Sequence, residues 1–113
     1  MTIKRPARGW NVQRQPTTPG EMLLKEFLEP LNLSQHALAV QLRVPATRIG
    51  DIIHGRRAVT PDTALRLGRF FKTTPEFWLN LQQACDLYQT RTELAKTIEQ
   101  EVPEYEQSFA RAN

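Results

Sequence analysis

The sequence predicts an all-α fold of five helices with a helical C-terminal extension. Three observations carry that reading. Hydroxyl residues stand ahead of proline or an acid at Thr18-Pro19-Gly20-Glu21, Thr60-Pro61-Asp62 and Thr74-Pro75-Glu76, the chemistry of a helix start. Apolar residues recur at spacings of three and four. Between Ser34 and Arg57 the chain reads as two short helices joined by a tight turn.

Each element follows from local chemistry. Thr18 and Glu21 form a T-x-x-E capping box, Pro19 takes the first helical position, and Met22, Leu23, Phe27 and Leu28 supply the apolar face. Pro30 is expected to end this first helix. Ser34 caps the second, in which Leu38, Ala39 and Leu42 share a face and small Ala39 permits a close crossing. Arg43 occupies a left-handed turn, at a cost on the order of 1 kcal/mol for a residue other than glycine. Val44 plugs the turn, and Pro45 is expected at the first position of the third helix. Ile49, Ile52 and Ile53 give that helix its buried side and Gly55 its stop.

The fourth helix follows Thr60, with Ala64, Leu67, Gly68 and Phe71 inward and Arg66 and Arg69 on another face. The fifth follows Thr74, with Phe77, Leu81, Ala84 and Tyr88 in a stripe that Trp78 and Leu79 widen. That width fits either core packing plus a dimer contact or a fully buried helix. A second T-x-x-E at Thr90–Glu93 restarts or continues the helix through Leu94, Ala95, Ile98 and Val102, and Pro103 breaks it. Residues 1–17 lack periodicity and read as a flexible basic arm, in which Trp10 is anomalous. The expected organisation is an arm at 1–17, a domain at 18–88, and a C-terminal helix and tail at 89–113.

Charge narrows the function. The net charge is only +3, but it is unevenly spread. Lys4, Arg5, Arg8 and Arg14 give the arm +4; eight bases and five acids give residues 18–74 +3; three bases and seven acids give residues 75–113 −4. The basic part holds the two-helix element, as phosphate binding requires. A lone cysteine, Cys85, permits no internal disulfide and suits a reducing cytoplasm. No apolar run reaches membrane-spanning length. His36 and His54 are not at ligand spacing with Cys85 or with an acid cluster, and no nucleophile motif or phosphate-cradling loop occurs. The expectation is therefore no enzyme, metal, cofactor, small-molecule substrate or membrane.

The element at Ser34–Arg57 has the layout of a helix-turn-helix, whose second helix enters the DNA major groove. Away from its isoleucines that helix shows Ala46, Thr47, Gly50, Asp51 and His54, small or polar side chains that let it approach base edges. Thr47 can meet a thymine methyl or a base acceptor, and Asp51 can accept from a cytosine amine. Asp51 is alternatively an intrahelical partner of Arg48. Arg43, Arg48, Arg56 and Arg57 are expected at phosphates, with Ser34 at the same edge. One short helix reads only a few bases, so two half-sites and a homodimer are expected, with Trp78, Leu79 and Leu81 as its surface.

Residues 18–39, TPGEMLLKEFLEPLNLSQHALA, and 60–82, TPDTALRLGRFFKTTPEFWLNLQ, closely resemble the HigA antitoxin family. This is a virulence-associated-protein-I-like branch of the Cro-repressor-like (XRE) helix-turn-helix proteins. The resemblance covers about residues 18–88 and implies a five-helix, lambda-repressor-like DNA-binding homodimer. It further implies a partner toxin, HigB, a ribosome-dependent mRNA endonuclease, and repression of its own operon. In that family Gln35 matches a glutamine that anchors phosphate and braces the recognition helix, and Thr47 and Asp51 match base-reading positions. The family's recognition helix commonly continues from its proline as small residue, Asn, Arg, Ile, Asn, Glu; here Ala46, Thr47, Arg48, Ile49, Gly50 and Asp51 follow Pro45. Scaffold positions agree and base-facing ones differ, so the resemblance carries over DNA binding but not an operator sequence.

Overall fold

A computed structural model describes residues 14–106. Trp10 and most of the expected arm lie outside the described residues.

The capping box forms as the sequence dictates. The Thr18 hydroxyl accepts the Glu21 N–H at 3.0 Å, and the Glu21 carboxylate accepts the Thr18 N–H at 3.1 Å. Helix α1 spans Pro19–Met22, passes into a π-helical segment at Leu23–Leu28, and continues as α2, Glu29–Leu31. Pro30 therefore does not end the helix. Proline in a regular helix loses a hydrogen bond and collides with the carbonyl four residues back. Here the wider π turn, in which the Glu29 N–H reaches the Leu24 carbonyl, makes room for the ring. The stop comes at Asn32, left-handed at φ 52°, where the Leu33 N–H bonds the Leu28 carbonyl at 2.9 Å.

Helix α3, Gln35–Leu42, is capped by the Ser34 hydroxyl on the Ala37 N–H at 3.0 Å. It closes at Arg43, left-handed as expected at φ 60°, with the Val44 N–H on the Ala39 carbonyl at 3.1 Å. Pro45 is the extended residue before α4, Ala46–Ile53, and not its first turn. Its ψ of 144° puts it one position outside the helix. Gly55, at φ 75°, supplies the left-handed residue that follows α4. Helix α5 is Pro61–Phe71, capped by Thr60, and α6 is Pro75–Glu101, capped by Thr74. Helix α6 runs through Thr90 without a restart and ends ahead of Pro103.

The core forms where these helices converge. Leu23, Leu28, Leu38, Ala39, Leu42, Ile49, Ile52, Val59, Ala64, Leu67 and Trp78 are buried together. Trp78 is 0% exposed; its indole N–H donates to the Thr73 hydroxyl at 2.8 Å, and its ring lies 5.1 Å from that of Phe27. This overturns Trp78 as a dimer-surface residue: a side chain enclosed by its own core has no area to offer another copy. Leu79 and Leu81 are partly buried against that core. Helix α6 is not fully buried either, since Ala84 and Leu87 are exposed.

Candidate nucleic-acid interface

Two hydrophobic contacts and one glycine set the pose of α4. Ile49 and Ile52 anchor its inner side in the core. Gly20 in α1 lies against its C-terminal end, where an added Cβ would run into the carbonyls of Ile52 and Ile53. Only glycine permits that approach, so α1 fixes how far α4 stands out. In the sequence Gly20 is marked only as a poor helix former in a first turn, which does not announce this contact.

The outer side of α4 is accessible. Ala46 and Thr47 are exposed, and Gly50 and Asp51 are partly so. Gln35 is half-buried beside α4, its side-chain oxygen 3.5 Å from where a Cβ on Gly50 would stand. Ser34 is exposed next to it, its hydroxyl used by the helix cap.

The four arginines divide. Arg43 is exposed in the turn and Arg57 in the loop after α4; among the described residues neither makes an ion pair. Arg56 is exposed but contacts Asp51, its Nε and one terminal nitrogen each 3.1 Å from the carboxylate. The Asp51 carbonyl also accepts the backbone N–H groups of Arg56, at 2.8 Å, and Arg57, at 3.2 Å. Asp51 is thus the organiser of the loop that carries both arginines. Its partner is Arg56, not the Arg48 considered as an alternative.

Arg48 departs furthest from expectation. Its side chain is only 25% exposed and its Nη1 lies 3.6 Å from Asp62, at the start of α5. Asp62 accepts from Arg66 Nε at 2.7 Å, and Arg66 Nη1 donates to the Leu42 carbonyl at 2.8 Å. The Arg66 hydrogen bond holds the Asp62 carboxyl below the ordinary carboxylate range; desolvation works against it, and the charges of Arg66 and Arg48 add to it. The link is therefore present at neutral pH and is lost only as acid drives the pH down through that lowered value. Asp62 and Arg66, four apart on one helix, were legible as a pair; the reach across to Leu42 was not.

The loop beyond Arg57 is tied down by the Val59 N–H donating to the Gln82 side-chain oxygen at 2.9 Å. Nearby, the Cys85 thiol lies 3.5 Å from the Thr17 carbonyl, and burial, followed by the charges of Asp86 and Glu21, pushes its pKa up. Among the described residues no group of histidine, cysteine and acids is arranged to hold a metal, and no helix is long and apolar enough to cross a membrane.

Comparison with known proteins agrees with this geometry. The helix-turn-helix family profile matches residues 24–78. The uncharacterized HTH-type transcriptional regulator YbaQ of Escherichia coli is 44% identical over 81 residues, covering 72% of each chain. The chain belongs to the helix-turn-helix family. Within that family, antitoxin HigA-1 of Vibrio cholerae is 42% identical over 79 residues, which is 70% of this chain and 74% of its own. The structure of Pseudomonas aeruginosa antitoxin HigA, solved with the higBA promoter, superposes with a TM-score of 0.78 at 40% identity, over 80% of this chain and 99% of that one. The helix-turn-helix fold expected from Ser34–Arg57 is thus shared with proteins of this name, and the all-α, repressor-like architecture stands.

Proposed function

We propose that this chain is a sequence-specific DNA-binding antitoxin that acts as a homodimer, represses its own operon and neutralises a HigB-like mRNA endonuclease in the cytoplasm. The observation that carries the DNA part is the two-sided character of α4. Ile49 and Ile52 are sunk in the core while Ala46 and Thr47 stand in solvent, between the arginines of the turn and of the following loop. Backbone phosphates are held from Gln35, Arg43, Arg56 and Arg57, with Ser34 at the same edge. Base edges are met by Ala46 and Thr47, and Asp51 sets the aim of Arg56. The reading is of a binder, not a catalyst, with no cofactor required.

The toxin part rests on the relationship to the HigA antitoxins and on charge. Residues 75–113 carry −4, which complements a basic partner. A dimer surface at Leu79, Leu81 and the apolar positions after Tyr88 supplies the second half-site. A second reading is a stand-alone transcription regulator without a toxin partner; YbaQ, 44% identical, is named only as an HTH-type transcriptional regulator.

Co-purification with the product of the neighbouring gene, followed by a gel shift on the intergenic DNA, separates them. A stable complex that shifts that DNA is expected. DNA binding without capture leaves the regulator reading, and capture without DNA binding rejects the repressor role.

A further inference from the structure

The Arg48–Asp62 contact is poorly made for a stabilising ion pair. It is long, at 3.6 Å, and uses one nitrogen of the guanidinium. Arg48 Nε is buried with no hydrogen-bond partner. Leaving a buried donor unpaired is costly, and arginine's planar fork is suited to two-point contact with a phosphate. Arg48 lies in the first turn of α4, beside exposed Thr47, where a helix seated in a groove comes close to backbone phosphate. The arginine is therefore held back from the ligand it fits best.

Asp62 is fixed in place to do this. Arg66 grips it at 2.7 Å and is itself anchored on the Leu42 carbonyl at 2.8 Å, at the end of α3. The carboxylate cannot follow Arg48 outward without breaking that chain. A helix seated by base contacts is fixed in one pose, whereas on a duplex whose bases it does not read it is free to shift and bring a released Arg48 onto phosphate; withholding that contact therefore lowers non-specific binding more than recognition that rests on base edges. Specificity is a difference of affinities, and an element that weakens the wrong complex serves it.

We infer that Asp62 is a specificity-determining residue, which sequesters Arg48 from the DNA backbone; this rests on the DNA-binding reading above. The test uses the full chain and fluorescence anisotropy on two duplexes, the intergenic DNA and a scrambled sequence of the same composition. Salt is varied between about 50 and 200 mM. Asp62→Asn removes the charge and keeps an acceptor for Arg66. On the scrambled duplex its log affinity is expected to fall with log salt more steeply than wild type by about 0.9, one added phosphate contact. The intergenic-to-scrambled affinity ratio is expected to drop by at least about threefold. In an Arg48→Gln background the same substitution leaves the slope unchanged.

An unchanged slope and ratio in Asp62→Asn overturns the inference. So does an equal steepening with Arg48→Gln present, because the gain then belongs to the lost carboxylate and not to a freed arginine. Asp62→Ser, neutral and tolerated in a helix first turn, gives the same comparison if the asparagine variant folds poorly. Wild-type protein that binds neither duplex overturns the DNA-binding reading instead.

Discussion

The two halves of α6 are one continuous helix in two different surroundings. The first, Pro75 to Tyr88, contributes the fully enclosed Trp78 to a cluster in which the Phe27 and Phe77 rings each lie 5.1 Å from the indole. The second, Gln89 to Glu101, leaves Leu94 44% and Ile98 48% exposed. It is supported mainly by contacts along itself, such as Thr92 Oγ1 donating to the Tyr88 carbonyl at 2.8 Å. The backbone is helical in both halves, so helix formation does not separate them; burial does. The near half is scaffold for the α4 platform, and the far half presents apolar and acidic side chains to whatever meets it.

Substitutions along the helix sharpen that contrast. Trp78→Ala is expected to cost about 3–5 kcal/mol in urea unfolding, since it empties the aromatic cluster. A loss below that of an ordinary surface change would erase the difference between the halves. Gly68→Ala comes next: its Cβ would stand 2.9 Å from the Thr73 carbonyl oxygen and 3.2 Å from the Pro75 nitrogen, both backbone at the start of α6. A cost of about 1–3 kcal/mol is expected, read as a lowered melting temperature. Removing residues 89–113 should change the stability of the single folded copy, read at a concentration too low for the dimer to contribute, by roughly 0.5 kcal/mol or less, the range of surface changes. The same truncation should abolish capture of the basic toxin. If the shortened chain still neutralises the toxin, the far half is not the partner surface.

Helix starts were legible in the sequence because they depend on neighbours three residues away. Thr18, Ser34, Thr60 and Thr74 all cap as the local chemistry requires. Helix ends were less so. Pro30 stops a regular helix, but a π turn admits it, and nothing in the local pattern distinguishes the two cases. The position of Trp78 was not legible, because the stripe Phe77, Leu81, Ala84 and Tyr88 has helical spacing, whereas the actual inward direction is set by where Phe27 and Phe71 stand. The outward face of α4 was readable from its composition. The partners of its charges were not: Arg48 meets Asp62 and Asp51 meets Arg56 only once α5 and the loop after α4 have been placed.

That pairing also decides which substitution tests base reading cleanly. Asp51→Ala would disturb Arg56 as well, so Thr47 is the better probe, with Arg56 as its counterpart. The decisive measurement is binding of the wild type, Thr47→Ala and Arg56→Ala to the intergenic duplex, to its single-base variants and to scrambled DNA. Thr47→Ala should lose about 1–3 kcal/mol of discrimination at one or two base positions and keep its salt dependence. Arg56→Ala should weaken binding to every duplex and flatten the salt slope by roughly one unit. Base preferences left intact by Thr47→Ala would contradict the assignment of the outward side of α4 to DNA reading.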